Sequence, residues 1–398
     1  VTLILMSRGD MKRYWYTMAV GLGCMAGAQA APLARLGLPL PLASGDFSPQ
    51  HIGFSSDNKQ LCLTGTNSDP DGRSTAQLLL IDRASNTVSW QKKVPVPDGY
   101  SDISPVQCAL DAGGVYLLAN VNTRSVRSLR QTLAYIYRFD LQGTQTGHKM
   151  LNLPGRDHFG AAVAVAHGGV KVAGYLKDED EDSEYYSMFA VRLDSALAAE
   201  PPSIKKTGAF APFPAARMVG DHLFVAGNFY AQKISKAEGG GDYAISKLRL
   251  NGAYQWSLRP PTPDPLVIFT GIASSGAIAR LGYHKQTSSL LLVTSEGKAM
   301  PEISFASKYC ETSELAAFGA AYLAIRRPCD VIRGRAVLVS ISPEERTEQL
   351  LDWFADEPVY LATDSASWAV VAKKRAGQMF LHSSPASTPA LPGGGRAD

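Results

Sequence analysis

The chain has 398 residues, 45% hydrophobic and 19% charged, which supports a substantial core and excludes wholesale disorder. Glycine (36) and proline (24) are plentiful and scattered, as a fold of many turns requires. The formal charge is +3, and setting aside Arg8, Asp10, Lys12 and Arg13 leaves the rest close to neutral, so no global charge argues for nucleic acid or an anionic membrane.

Residues 1–10 (VTLILMSRGD) precede a natural start at Met11 and read as an over-extended beginning. Residues 11–30 (MKRYWYTMAVGLGCMAGAQA) read as a signal peptide. Lys12 and Arg13 form its basic end, Tyr14 to Gly27 its mostly apolar or small stretch, and Ala28-Gln29-Ala30 its cleavage site. That stretch is too short and interrupted to span a bilayer stably. Cys24 raises an outer-membrane lipoprotein as the lesser alternative, because Gly21-Leu22-Gly23 fits a lipidation motif poorly. The mature chain is expected in a Gram-negative periplasm or medium, with no transmembrane segment.

Residues 31–384 show self-similarity at a long period. Each unit runs apolar strand, turn, strand ending in small residues, polar loop, strand ending in Asp or Asn, turn, polar strand. The second strands stack directly: QLCLTG, VYLLAN, VKVAGY, LFVAGN, AIARLG, YLAIRR and WAVVAK, centred near Leu63, Leu118, Ala173, Ala226, Leu281, Leu323 and Val371. A strand-only unit is apolar on both faces, so neighbours must stack, and radial closure hides the ends. The fold class is all-β: a β-propeller of seven four-stranded blades. The unit spanning Val267–Phe305 is irregular, which leaves six or eight blades as alternatives. The last unit (Pro358–Thr363, Ser367–Ala372, Gln378–His382) lacks a fourth strand, and Leu36–Ala43 is expected to supply it and latch the ring. Residues 385–398 read as a disordered Pro/Gly-rich tail.

The segments LLLIDRASNTVSWQKKV (Leu78–Val94) and KLRLNGAYQWSL (Lys247–Leu258) each run strand, Asp or Asn, turn, then a closing Trp. In this they resemble bacterial quinoprotein-like (PQQ-like) propellers and related secreted repeat proteins. The resemblance covers most of Gln50–Ser384 at the level of architecture. It implies a secreted propeller and carries no catalytic or cofactor-binding residue onto this chain.

Export would place the chain where disulfides persist. Cys310 opens the first strand of the sixth unit and Cys329 closes its second, positions that face each other in an antiparallel hairpin and predict a disulfide. Cys62 and Cys108 lie in apolar strands of neighbouring units, as a bonded staple or as two buried thiols.

Asn67, Asp69 and Asp71 before Gly72 match the start of a calcium loop, but Leu78 stands where the bidentate acid belongs. An ordinary polar turn is the preferred reading, with Ca2+ as the alternative, and no other cofactor is predicted. Asp178 to Asp182 with Glu184 is the densest charge run and reads as a solvated loop. No histidine pair has metal-ligand spacing, and no G-x-S-x-G, phosphate loop or H-E-x-x-H occurs.

Loops between second and third strands emerge on one face of a propeller, where binding commonly resides. Here they carry Arg124, Arg127 and Arg130; Arg326, Arg327, Arg333 and Arg335; and Lys373, Lys374 and Arg375. The last two groups belong to neighbouring units and are expected to form one cationic patch. The leading functional reading is an exported, non-enzymatic binding or scaffold protein that engages a protein or anionic ligand through this face. The second is a periplasmic enzyme acting on a sugar, lactone or quinone-linked substrate. It requires acids or histidines from several inner strands to converge on the ring axis.

Overall fold

The computed structural model describes residues 40–42, 47–68, 74–123, 131–166, 168–177, 186–209, 215–229, 242–260, 267–329, 334–351, 354–364, 367–374 and 378–384. Their regular structure is entirely β-strand, folded into seven four-stranded antiparallel blades in a ring. The innermost strands of blades 1 to 7 are Ser48–Phe54, Tyr100–Asp111, Asp157–Ala166, Ala215–Val219, Val267–Ile272, Tyr309–Phe318 and Glu357–Asp364. Each blade's second strand is covered on both faces and so is mostly apolar, as at Leu61–Leu63 and Val115–Ala119. Outermost strands alternate half-buried and exposed residues, as Gln145–Met150 does.

Blade 5 is regular, with strands Val267–Ile272, Ile278–His284, Thr287–Val293 and Ile303–Ala306. Its middle hairpin turns on Lys285 and Gln286, both at positive φ (47° and 64°). That is the two-residue geometry that suits strand twist, built here without the glycine or asparagine that usually marks it. The apparent irregularity came from this missing signal.

The connection between third and outermost strand repeats in blades 1 to 6. Its left-handed position is held by Asn86, Gly143, Leu197, Gly252, Gly297 and Arg346. The Asp or Asn that ends the third strand closes the turn: Asp140 Oδ1 accepts from the N–H groups of Gln142 and Thr144, and Asp194 Oδ1 from those of Ala196 and Ala198. Two of these turns receive a tryptophan from the preceding blade. Trp90 Nε1 donates to the Leu141 carbonyl (3.0 Å), and Trp256 Nε1 to the Ser295 carbonyl (3.1 Å). A Cβ at Gly143 would lie 2.9 Å from the Trp90 ring, and one at Gly297 2.6 Å from that of Trp256. Glycine is therefore required at both turns for space as well as for φ.

The N-terminal strand closes the ring. Leu40 pairs with Leu381 and Pro41 with Phe380, and the Leu42 N–H donates to the Met379 carbonyl (2.9 Å). Pro41 is tolerated because this strand is outermost and its free edge needs no donor. Leu40 and Leu42 bury against Ile52, Leu61 and Leu79 of blade 1 and Val371 and Leu381 of blade 7. Buried Arg83 clamps the same seam: Nη1 donates to the Asn58 carbonyl and Ser367 Oγ, Nη2 to the Ser384 carbonyl and Oγ.

Both cysteine pairs are disulfides. Cys62–Cys108 staples the second strand of blade 1 to the innermost strand of blade 2, with Cα atoms 6.2 Å apart. Cys310–Cys329 closes the first hairpin of blade 6, as its spacing predicted (Cα–Cα 5.0 Å). On the chain-entropy account, a separation of 46 residues is worth about 4 kcal/mol and one of 19 about 3 kcal/mol.

Replacing Arg83 by alanine removes every clamp bond at the seam between first and last blade. It is expected to cost about 3 kcal/mol in urea unfolding monitored by tryptophan fluorescence. An unchanged midpoint would show that the N-terminal strand holds the ring without it.

Candidate functional site

Each innermost strand is hydrogen-bonded along one edge only, so the backbone groups of its other edge face the ring axis. Side chains of neighbouring blades satisfy several of them. From blade 7, the Tyr360 hydroxyl oxygen accepts from the Ile52 N–H of blade 1. From blade 1, His51 Nδ1 accepts from the Cys108 N–H of blade 2 (3.2 Å). Gln107 of blade 2 accepts from the Val163 N–H (3.1 Å) and donates to the Ala216 carbonyl (3.1 Å). Arg217 of blade 4 donates to the Ile272 carbonyl of blade 5 (3.0 Å). These bonds lead around the axis from blade 7 to blade 5.

Bulges recur in the innermost strands. In blades 1, 3 and 7 this strand carries one extra residue, and in blades 2 and 6 it carries two, the second between Pro105 and Gln107 and between Thr312 and Glu314. The residue that resumes pairing is His51, Gln107, Ala162, Glu314 or Tyr360. Bulges re-aim side chains, and four of these residues, His51, Gln107, Glu314 and Tyr360, line the space at the ring axis, while Ala162 is buried in the core between blades 3 and 4.

The axis is a channel with a cavity of about 760 Å³, lined by all seven innermost strands. Small and apolar residues form much of its wall. His51, Arg217, Glu314, Tyr360 and Asp364 also line it. Burial, and then the charge of Arg217, push His51 down to about 3. His51 is thus neutral at pH 7, and because Nδ1 accepts from an N–H its proton sits on Nε2. Burial pulls Arg217 down from the usual guanidinium range, while Asp364 and Tyr360 act in the opposite sense. Burial, followed by Glu314, pushes Tyr360 up. Glu314 has neither a hydrogen bond nor an ion pair among the described residues, and burial alone lifts it to about 8. It is a neutral carboxylic acid at pH 7.

A second cavity, of about 500 Å³, is bordered by Lys171, Arg192, Glu200 and Asp221. Its two cations are engaged: Asp221 takes an ion pair from Lys171 and another from Arg192 (3.2 Å).

Five of the ten loop-face residues expected from sequence are described: Arg326, Arg327, Arg335, Lys373 and Lys374. Arg326 is a correction. It lies within the second strand of blade 6, fully buried, paired with Glu348 (2.8 Å) and bonded to Ser288. It is core because second strands are the most enclosed part of a blade and Glu348 neutralises its charge there. Arg327 faces Glu311 (3.4 Å), Arg335 faces Glu357 (3.9 Å), and the Lys374 ammonium stands 4.0 Å from the Phe380 ring centroid. Lys373 is exposed at the end of its strand. Arg124, Arg127, Arg130, Arg333 and Arg375, the acidic run 178–184, and Asp69 and Asp71 of the calcium reading lie outside the described residues. Asn67 sits in the second strand of blade 1, where its carbonyl accepts from Thr75 Oγ1 (3.3 Å). The described residues hold no cluster of three or more metal-ligating side chains.

Sequence reasoning passed over the channel residues. Aligning the first strands of the units, as was done for the second, would have shown polar residues recurring within otherwise apolar runs.

No protein-family model matches the chain, and no curated protein matches it in sequence. It is similar to the Dos1 propeller (TM-score 0.48, 9% identity, covering 87% of this chain and 95% of that one). It is also similar to the WD40 domain of SCAP from fission yeast (0.43, 9%, 89% and 95%). A third likeness is to a Synechocystis apocarotenoid oxygenase variant (0.42, 16%, 67% and 64%). None of these likenesses bears on function.

Because Glu314 binds its proton more tightly in the folded than in the unfolded chain, stability falls as pH rises from about 4.5 to about 8 and is level above that. Glu314→Gln removes this loss. The variant should melt with the parent at pH 4 and about 5 °C above it at pH 9 by differential scanning calorimetry. Equal melting at both pH values would mean that the carboxyl is well solvated.

Proposed function

We propose that this chain is an exported binding propeller whose ligand occupies the central channel. The observation that carries this reading is a contrast between engaged and unengaged polar groups. The described cations of the loop face face carboxylates or an aromatic ring, apart from Lys373, and both cations of the second cavity pair with Asp221. In the channel, Glu314 has no partner among the described residues, and the Nε2–H of His51 and most N–H groups of Arg217 remain available to a ligand. Two disulfides suit an oxidising compartment, and no helix of the described residues is long and apolar enough to cross a membrane. Both support export. The Trp90 and Trp256 locks support the likeness to quinoprotein-like repeats. The charged loops keep a subsidiary role in this reading: exposed cations such as Lys373 would raise the concentration of an anionic ligand or protein near one end of the ring.

Catalysis in the channel is the second reading, favoured by one observation. A carboxyl that titrates near 8 is poised to exchange a proton at neutral pH. Product formation from a bound ligand, followed by NMR and lost in Glu314→Gln, would separate catalysis from binding.

The channel reading is tested by thermal-shift screening of mature protein against small polar compounds, beside an Ala215→Trp variant that places a bulky ring in the cavity wall next to Arg217. A ligand at 100 times its Kd adds about 2.7 kcal/mol, a shift that is readily read. Compounds that stabilise the parent should leave the folded Ala215→Trp protein unmoved. Stabilisation that survives the substitution would place the ligand outside the channel.

A further inference from the structure

We infer that the channel takes a small organic anion with an apolar body, its oxyanion group held by Arg217. This deepens the channel reading above and rests on it.

Arg217 is half-buried on the innermost strand of blade 4 and lines the cavity. One of its five N–H groups is engaged, by the Ile272 carbonyl. Among the described residues no carboxylate reaches ion-pair distance of it. Asp364 acts on it only through the longer-range field, and Arg83 draws on the same carboxylate. A guanidinium withdrawn from water without a contacting counter-charge is costly, and a bound oxyanion supplies that charge through two parallel hydrogen bonds.

The other polar groups of the channel add donors without adding negative charge. His51 presents its proton on Nε2, since Nδ1 is engaged by the Cys108 N–H. The Tyr360 oxygen accepts from Ile52, which leaves its hydroxyl proton free to donate. Glu314, neutral at pH 7, is a further donor rather than a repelling carboxylate. One cation among several neutral donors matches a single anionic group. Val106, Val163, Met218, Phe269 and Leu315 line the same cavity and offer apolar surface for the rest of the ligand. A volume of about 760 Å³ lies within the range of small-ligand pockets.

The test is isothermal titration of mature protein with benzoate, phenyl phosphate and neutral benzamide. At least one of the two anions should bind with a Kd on the order of 1 mM or tighter, and benzamide at least about tenfold more weakly. The stronger of the two anions separates a carboxylate ligand from a phosphate one. Arg217→Gln should lose about tenfold or more for the anion and nothing for benzamide. Circular dichroism checks that the variant is folded. If it is not, Arg217→Lys decides, because it keeps the charge but loses the fork: the anion should weaken and benzamide should not. Benzamide binding as well as the anions, and abolished by Ala215→Trp, would overturn the anion assignment and leave the channel reading standing. Anion binding that persists in Ala215→Trp would overturn both, and so would the failure of all three probes to bind.

Discussion

Seven open strand edges around one axis are the constraint on which this structure turns. A propeller hides the outer faces of its blades by stacking them, but each innermost strand still turns an unpaired row of N–H and C=O groups toward the centre. Leaving such groups unsatisfied costs about 1–3 kcal/mol apiece. The chain answers with side chains reaching from one blade to the next: Tyr360 to Ile52, His51 to Cys108, Gln107 to Val163 and Ala216, Arg217 to Ile272. The polar residues of the channel are thus first a structural device. Between blades 5 and 6 the backbones themselves come close, since a Cβ at Gly271 would lie 2.1 Å from the Leu315 carbonyl oxygen.

The same need for neighbour contact governs the periphery. Trp90 and Trp256 dock into glycine turns of the following blade, and Cys62–Cys108 ties blade 1 to blade 2 covalently. The seam between first and last blade is crossed by the N-terminal strand, which pairs within blade 7 before the chain enters blade 1, and it is held further by the apolar cluster around Leu40 and Leu42 and by Arg83 reaching both Ser367 and Ser384. Residues more than 280 positions apart in sequence meet at that guanidinium.

How much of this could be read in advance follows from how local each signal is. The second strands are enclosed on both faces, so their apolar runs announce themselves, and stacking seven of them showed the architecture. The Asp-initiated turns were visible because Asp140 and Asp194 act on residues two to four positions away. The Cys310–Cys329 bond was visible because both residues belong to one hairpin. The Cys62–Cys108 bond was undecided because it depends on the placing of two different blades. Arg326 was misread for the same reason. Its partner Glu348 lies on the outermost strand of the blade, and no linear pattern links the two. The channel residues were the least legible of all. A bulge shifts His51, Glu314 and Tyr360 relative to their partner strands, so a strict alternation of two residues fails at these positions.

Among the described residues, several buried or half-buried charges are met by an ionisable partner, and the contrast gives the channel its meaning. Arg326 holds Glu348, Arg280 holds Glu302, Lys171 holds Asp221, and His382 contacts Asp356. Each is the arrangement expected where a charge exists to tie strands together, because a lone buried ion would cost more than the tie returns. Arg217 and Glu314 line one cavity, yet neither has a charged contact among the described residues. If structure were their only task, the hydrogen bond of Arg217 to Ile272 could come from an uncharged side chain, as Gln107 shows one blade pair away. Glu314 makes no bond that would explain an acid there at all. A guanidinium and an acid kept apart in a cavity wide enough for a guest are better matched to that guest than to each other.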